Sequence, residues 1–532
     1  LEHLNIAGLL GIKDAIIAVS KADLLEDGPT NARMDDLRQG LRTTPIPKAP
    51  MDLCSAQPGL GLDGLNGLLE THLSRDSSPD MPLPPYLSID RIFSRVGRGT
   101  VVTGTLLGAA IHVDDPLMLF PAQHHVTLRG LQSRGADRTQ LEPGARLAAN
   151  LRGLDVTDIN RGDVLALPGS LGSTHCLDVL LHCVPGRKTN LKHMQDLRLL
   201  IGTASEVVQL RLYTVPQDAP DTPRLAQLRL RKAICAYAGQ RAVLRCLSPA
   251  DTVAGVTILD PQAAPTRAGD RDRQQLLAAC CTGDVKTVAK AIASGTGGLA
   301  TRSDIARLAR LTVDAVLAKL GDDFVEIGDD TVSPRSDVGQ VQTHLMQTLE
   351  TFHKERPLRW SHDVAEATKR RTPAKLRDYV IQDLVQQARI KCVGNGLALA
   401  AHDPIVLLST ENRERMHKIE AVYKLAGLSP PDYNSVVADQ LDEDLFDLLE
   451  STGRLLSLRN VALNQTLIFH KNSLRDAEAQ LRATFPPPST FTTAAGRITL
   501  DTSRRIIVPI LEHFDAVGLT NRAGNTRTFI KK

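Results

Sequence analysis

Apolar and polar positions change rhythm twice along the chain. Up to about residue 80, short apolar runs alternate with amphipathic segments: "DAIIAVS", "NARMDDLRQGL", "MDLCSA", "LDGLNGLLETHL". Strand, helix, strand, helix in that order predicts an α/β arrangement. After the Pro-rich "DMPLPPYL" (Asp80 to Leu87), β-branched runs punctuated by Gly, Pro and Asp take over, among them "GTVVTGTLL", "DPLMLF", "HVTLRGL", "VVQLRLY" and "AVLRCL". Many short strands with frequent turns predict β-barrels, two of them, divided near "LALPGSLGSTH" (Leu165 to His175). Beyond Pro261 helices dominate, in units of about 65 residues with similar endings: "FVEIGDDTVSP", "RIKCVGNGLALAAHD", "RLLSLRNVALNQTLIFH" and "GLTNRAGNTRTFI". Helices followed by two short strands are the plan of a winged helix, and four such units fit. A plain helical repeat array is the competing reading, which the terminal hairpins argue against.

The predicted divisions are therefore an α/β segment at 1–80, barrels at 81–170 and 171–265, and winged helices at 266–335, 336–404, 405–470 and 471–532. With 532 residues, each division has enough chain for a conventional core. An apolar fraction of 42% and a charged fraction of 23%, with no uncharged apolar run of ~18 residues, argue against a membrane protein. The opening "LEHLNIAGLL" has neither Met nor the pattern of a secretory signal, and reads as a chain cut at its start. Eight cysteines without a C-x-x-C pair suit buried thiols in a reducing compartment, so the cytoplasm is expected. No metal site is expected: the neighbours His124 and His125 lack further ligands at zinc-like spacing. The net charge of +3 conceals an asymmetry, since residues 471–532 hold ten Lys/Arg against five Asp/Glu. A basic terminal module on a near-neutral body suggests a polyanionic partner.

The most informative chemistry lies in "SKAD". Ser20, Lys21 and Asp23 follow an apolar run expected to be a buried parallel strand, at the end where α/β folds bind ligands. Guanine presents two adjacent donors that one carboxylate accepts together, so Asp23 would select guanine. Lys21 would cover the base plane, and Ser20 would add one hydrogen bond. In "CSA", after the next predicted strand, Ser55 would brace the loop and the Ala56 amide would meet the base carbonyl. Phosphate binding needs G-x-x-x-x-G-K-[ST], yet no Gly-Lys dipeptide occurs in the chain, and "GRGTVVTG" (Gly97 to Gly104) leads into a strand.

These motifs, with "YLSIDRIFSRVGRGTVVTGTLLGAAIHVDDPLMLFP" and "INRGDVLALPG", resemble the translational GTPases: the end of a G domain joined to the barrel that follows it in elongation factor Tu. The long helical tail and "LDTSRRIIVPILEHFDAVGLTNRAGNTRTFI" resemble the bacterial selenocysteine-specific elongation factors, a family with "TKAD" where elongation factor Tu has "NKCD". Departures include Val113-Asp114-Asp115 for the usual V-G-D. The expected fold is then the C-terminal, α/β part of a P-loop-type G domain, two β-barrels and four winged helices. The family's phosphate, magnesium and switch residues lie in the part of the G domain not seen here, so this chain is expected not to hydrolyse GTP alone, and no catalytic residue is assigned.

The resemblance implies a monomeric carrier that brings selenocysteinyl-tRNA, with GTP and Mg²⁺, to a ribosome at an in-frame UGA codon, while the last winged helix holds an mRNA hairpin. Asp90 and Arg91 match the family's acidic-basic pair at the aminoacyl pocket, where a cationic Arg91 would favour a selenolate over a serine hydroxyl; an ordinary surface ion pair is the competing reading. For the hairpin, Thr502 and Ser503 would donate to phosphate, Arg504 and Arg505 would supply charge, and Arg522 and Arg527 would flank the wing. A function of another class stays open: a winged-helix scaffold for DNA or protein, with a vestigial G domain.

Overall fold

The computed structural model describes residues 2–12, 14–24, 30–42, 44–57, 59–74, 84–95, 99–184, 191–213, 222–369, 371–461 and 463–530. They form two compact units, 1–334 and 335–532.

The first unit opens with the helix Glu2–Leu9 and a pair of parallel strands, Ile17–Val19 on Met51–Leu53, with Val19 opposite Leu53. The strand Ile17–Val19 departs from the expected buried strand. It is half-buried with Ala18 exposed, because its sheet has only two strands among the described residues. The opening helix packs on the second barrel, where Leu9 lies against Gly255 and its carbonyl accepts from Arg241 Nη1 at 3.4 Å.

Both barrels are closed. In the first, the strand Arg146–Arg152 pairs with Gly99–Leu107 on one side and His124–Ser133 on the other, completing a ring with Tyr86–Arg95, Val164–Ala166 and Pro116–Phe120. Strand alternation sends Val102, Leu147, Ala149 and Leu151 inward to the core. The second ring contains six strands between Ser173 and Asp260. Tyr86 meets Tyr237 edge-on at 5.1 Å between the barrels, and the Thr203 hydroxyl donates to the Ile89 carbonyl at 2.7 Å. The departure from V-G-D has a local basis: Asp114 sits at φ 71°, a left-handed conformation that Asp tolerates better than most side chains.

Helices Arg271–Thr282, Val285–Gly295, Arg302–Ala309 and Val313–Leu320, with a three-stranded sheet, make the first winged helix. Its core is continuous with the barrel residues Tyr213 and Leu259, so barrel and winged helix pack as one body.

The second unit holds the other three winged helices. The second and fourth carry three-stranded sheets; the third carries a two-stranded hairpin, Leu455–Asn460 with Gln465–His470. Leu467 and Phe469 of that hairpin enter the core of the fourth, beside Phe491, Ile510 and Phe514. Among the described residues no helix is long and apolar enough to cross a membrane.

Candidate functional site

The parallel pairing places the SKAD and CSA loops, expected to read a base, side by side. The Cys54 amide donates to the Val19 carbonyl at 2.9 Å and the Ala22 amide to the Cys54 carbonyl at 3.1 Å. Ser55 is buried, and its hydroxyl donates to Oδ1 of Asp23. Asp23 is exposed with Oδ2 unengaged by that bond, as are Ser20, Lys21 and Ala56 around it. Gly61 makes the arrangement possible: at φ 71° it turns the chain back beneath the loop, and a Cβ there would lie 1.8 Å from the Leu53 carbonyl oxygen. Five residues from two loops thus share one edge of the sheet. Of the glycine-rich stretch, Gly97 and Arg98 lie outside the described residues; Gly99–Leu107 is a barrel strand.

Asp90 and Arg91 sit where the pairing of Tyr86–Arg95 with Gly99–Leu107 shifts register: Ile89 faces Gly104 and Arg91 faces Thr103, leaving Asp90 as the extra residue of a β-bulge. Strict alternation would drive one of two adjacent charged residues into the core. With the bulge, Ile89 is buried, while Asp90 is partly exposed and Arg91 exposed. Gly104 serves the same close approach, since a Cβ there would lie 2.3 Å from the Ser88 carbonyl oxygen.

Arg146, which the sequence reading missed, completes the site. Its Nη1 is 2.7 Å from Asp90 Oδ2 and its Nη2 donates to Oδ1 at 3.1 Å, while the Thr103 hydroxyl donates to Oδ1 at 2.6 Å. Partial desolvation pushes the Asp90 carboxyl up; the Thr103 and Arg146 hydrogen bonds and the charges of Arg146 and Arg91 together outweigh it and hold the carboxyl below its usual value. In place of the expected Asp90–Arg91 pair, Asp90 is therefore held by Arg146 and Thr103, with Arg91 the next residue along the strand. Beside it a cavity of about 540 Å³ is lined by Phe93, Val101, Arg129, Gln132, Arg138 and Asn150, and Asn150 Oδ1 is buried there without a hydrogen-bond partner.

In the last winged helix, Ser503 caps the helix Arg504–Ala516 with its backbone extended and its hydroxyl not used for capping. Arg504 and Arg505 are exposed, Thr502 is half-buried, and Arg522 is exposed in the wing. Arg527 does lie on the wing, opposite Arg522, but its burial corrects the expectation that it contacts RNA. It is 5% exposed, with Nε on Asp515 Oδ2 at 2.8 Å and Nη1 on the Thr493 hydroxyl at 3.1 Å. Phe529, two residues on, is a core residue, so Arg527 faces the same way.

An α/β edge carrying the SKAD and CSA loops, two β-barrels and a winged-helix tail, in that order, form the architecture of a translation elongation factor related to the GTPases. Residues 487–529 match the family described as "Elongation factor SelB, winged helix". The selenocysteine-specific elongation factor of Desulfomicrobium baculatum is 27% identical over 552 residues, covering 100% of this chain and 85% of that protein. That of Escherichia coli strain K12 is 24% identical, covering 98% of this chain and 83% of that protein. The crystal structure of a bacterial selenocysteine-specific elongation factor, EF-Sec, superposes with a TM-score of 0.58 at 18% identity, over 100% of this chain and 83% of that one. Over nearly its whole length the chain is thus similar to selenocysteine-specific elongation factors.

Proposed function

We propose that the chain carries selenocysteinyl-tRNA to a ribosome paused at UGA while its tail holds the selenoprotein mRNA hairpin, with GTP as the nucleotide. The observation that carries this reading is the outward-facing Asp90, Arg91 and Arg146 on the first barrel, which together bear a net positive charge. Arg146 is engaged by Asp90, leaving Arg91 as the cation for an ionised aminoacyl side chain. Such a charge-assisted contact is worth about 1.5–3 kcal/mol, roughly 10- to 150-fold, against a neutral hydroxyl. Ser20, Lys21, Asp23, Ser55 and Ala56 would hold the guanine; they account for the base and not for the phosphates or Mg²⁺. Thr502, Ser503, Arg504, Arg505 and Arg522 would hold the hairpin by phosphate contact and arginine stacking.

The test compares the affinity of wild type and Arg91→Ala for one tRNA charged with selenocysteine or with serine. Wild type should prefer the selenocysteinyl form and the variant should lose that preference. An undiminished preference in the variant removes Arg91 from the site. No discrimination by wild type defeats the carrier reading.

A further inference from the structure

The four winged helices differ in what they place at the start of the helix before the wing. In the first, that helix is Val313–Leu320, with Asp314 in its opening turn. The turn before it faces the linker between the barrels: Arg310 to Val313 line one cavity with Gly169 to Gly172, and the Arg310 guanidinium lies against Gly239. In the third, Gln440–Ser451 opens on Asp439, Asp442 and Glu443, and acidic side chains of this helix are engaged by arginines. Arg415 holds Asp439 and Asp442 at 2.6 Å each, while Arg356 and Arg359 hold Glu443 and Asp444. These two modules direct their helix starts into the protein itself.

The second winged helix is the opposite. Its helix Ala374–Gln386 is anchored by Leu376, Val380 and Leu384, all fully buried, and has no acidic residue in its first turn. That spacing turns Lys375 outward. The preceding loop is tied by the Thr372 amide donating to the Lys369 carbonyl at 2.9 Å, and Lys369 and Arg371 are exposed on it. From Lys369 to Arg377 the sequence "KRRTPAKLR" has five basic residues and no acidic one; Arg370 lies outside the described residues. Lys369, Arg371 and Lys375 make no ion pair among the described residues. Among the described residues, only the fourth winged helix has a comparable start, with exposed Arg504 and Arg505.

We infer that Lys369, Arg371 and Lys375 of the second winged helix form a separate contact surface for the phosphate backbone of double-stranded RNA. The surface is suited to positioning rather than base reading. It offers point charges for phosphates, while one turn further along the helix the exposed Asp378 is already engaged by Arg377 Nε at 2.9 Å, so the unpaired basic charge ends there. The inference rests on the RNA-carrier reading for its choice of RNA over DNA. It adds to that reading a sequence-independent hold, in a different module from the hairpin site.

The experiment titrates the full chain with a loop-free RNA duplex, with the same duplex as DNA, and with a selenoprotein mRNA hairpin, each over a salt series. Lys369→Ala/Arg371→Ala/Lys375→Ala should weaken duplex RNA binding about tenfold or more and reduce the slope of log affinity against log salt by about two to three. Its melting temperature should be unchanged. Lys369→Arg/Arg371→Lys/Lys375→Arg should retain affinity and slope. Arg504→Ala should instead weaken hairpin binding and leave duplex binding as in wild type. Unchanged duplex affinity and slope in the triple alanine variant overturn the inference while the hairpin reading stands. Tighter binding of the DNA duplex than of the RNA duplex overturns the assignment to RNA. Absence of salt-dependent binding to either RNA overturns both readings.

Discussion

Arg146 reaches across 56 positions of sequence to grip Asp90 with both terminal nitrogens, at 2.7 and 3.1 Å, on the outer face of the first barrel. Its guanidinium is more than half exposed, so the pair adds little stability, within about 1 kcal/mol. Its effect is on charge. Without Arg146, Asp90 is free to neutralise Arg91. Arg146→Ala should therefore reduce the preference for selenocysteinyl- over seryl-tRNA by roughly tenfold, about 1.4 kcal/mol, with the melting temperature nearly unchanged. An NMR titration should show the Asp90 carboxyl moving up toward its ordinary value. A preserved preference would reduce Arg146 to a brace.

Arg527 should behave as a structural residue and Arg522 as a surface one. Removing the Arg527 guanidinium leaves the Asp515 carboxylate with the Thr520 hydroxyl at 2.5 Å as its remaining polar partner here. Breaking such a buried pair costs about 3–5 kcal/mol, and roughly 2–4 is expected here because Asp515 is partly exposed. Arg527→Ala should lower the melting transition of the last winged helix, followed by circular dichroism. Arg522→Ala should leave that transition unchanged and weaken hairpin binding. A surface-like Arg527→Ala, with normal melting and weakened binding, would restore the expectation that it contacts RNA.

These two sites show what sequence alone discloses. That the SKAD and CSA loops lie side by side was legible because each is local, a strand end followed by four residues, and parallel pairing of consecutive strands joins them. The Asp90–Arg146 contact was not, since strand register brings together residues with no motif in common. The bulge did leave a trace: "IDRI" puts two charged residues between two apolar ones, a pattern that neither strict alternation nor a buried run produces. Arg527 lies directly opposite exposed Arg522 on the wing, so strand period does not separate them; what buries Arg527 is its contact with Asp515 and Thr493, residues far from it in sequence.

The second winged helix should weaken in mild acid. His353 stacks on His402 at 3.7 Å between ring centres, and its Nε2 accepts the Leu399 amide at 3.3 Å. Burial, then the neighbouring His402, His362 and Lys391, push its pKa down to about 4. The unfolded chain binds this proton near pH 6.5, the folded one only near 4. Stability is thus full above about 6.5 and declines as pH falls toward 4, by up to about 3 kcal/mol. Urea unfolding of this module between pH 7.5 and 4.5 should show that slope. His353→Gln, whose amide oxygen can still accept the Leu399 amide, should flatten it; an equal slope in both proteins would assign the acid sensitivity elsewhere.

Arg273 decides whether the first winged helix stays on its barrel. Asp178 and Asp260 are cross-strand partners in the second barrel, both buried. Arg273, from the first helix of the winged helix, bridges them at 2.6 and 2.5 Å. Tyr213 and Gln227 donate to the other oxygen of Asp178 at 2.8 and 2.9 Å, and Arg307 also holds Asp260. Burial nevertheless keeps the Asp178 carboxyl above its usual value, against the opposing charge of Arg273. Arg273→Ala leaves two buried carboxylates facing each other with one cation fewer, a loss of about 3–5 kcal/mol. Because the winged helix shares its core with Tyr213 and Leu259, the loss should appear as undocking. Urea denaturation should separate into two transitions, and limited proteolysis should cut between Pro261 and Arg271. Adding Asp178→Asn to Arg273→Ala should recover part of the stability, since a neutral amide leaves no unpaired charge. An unchanged midpoint in the single variant would mean that apolar packing alone holds the winged helix in place.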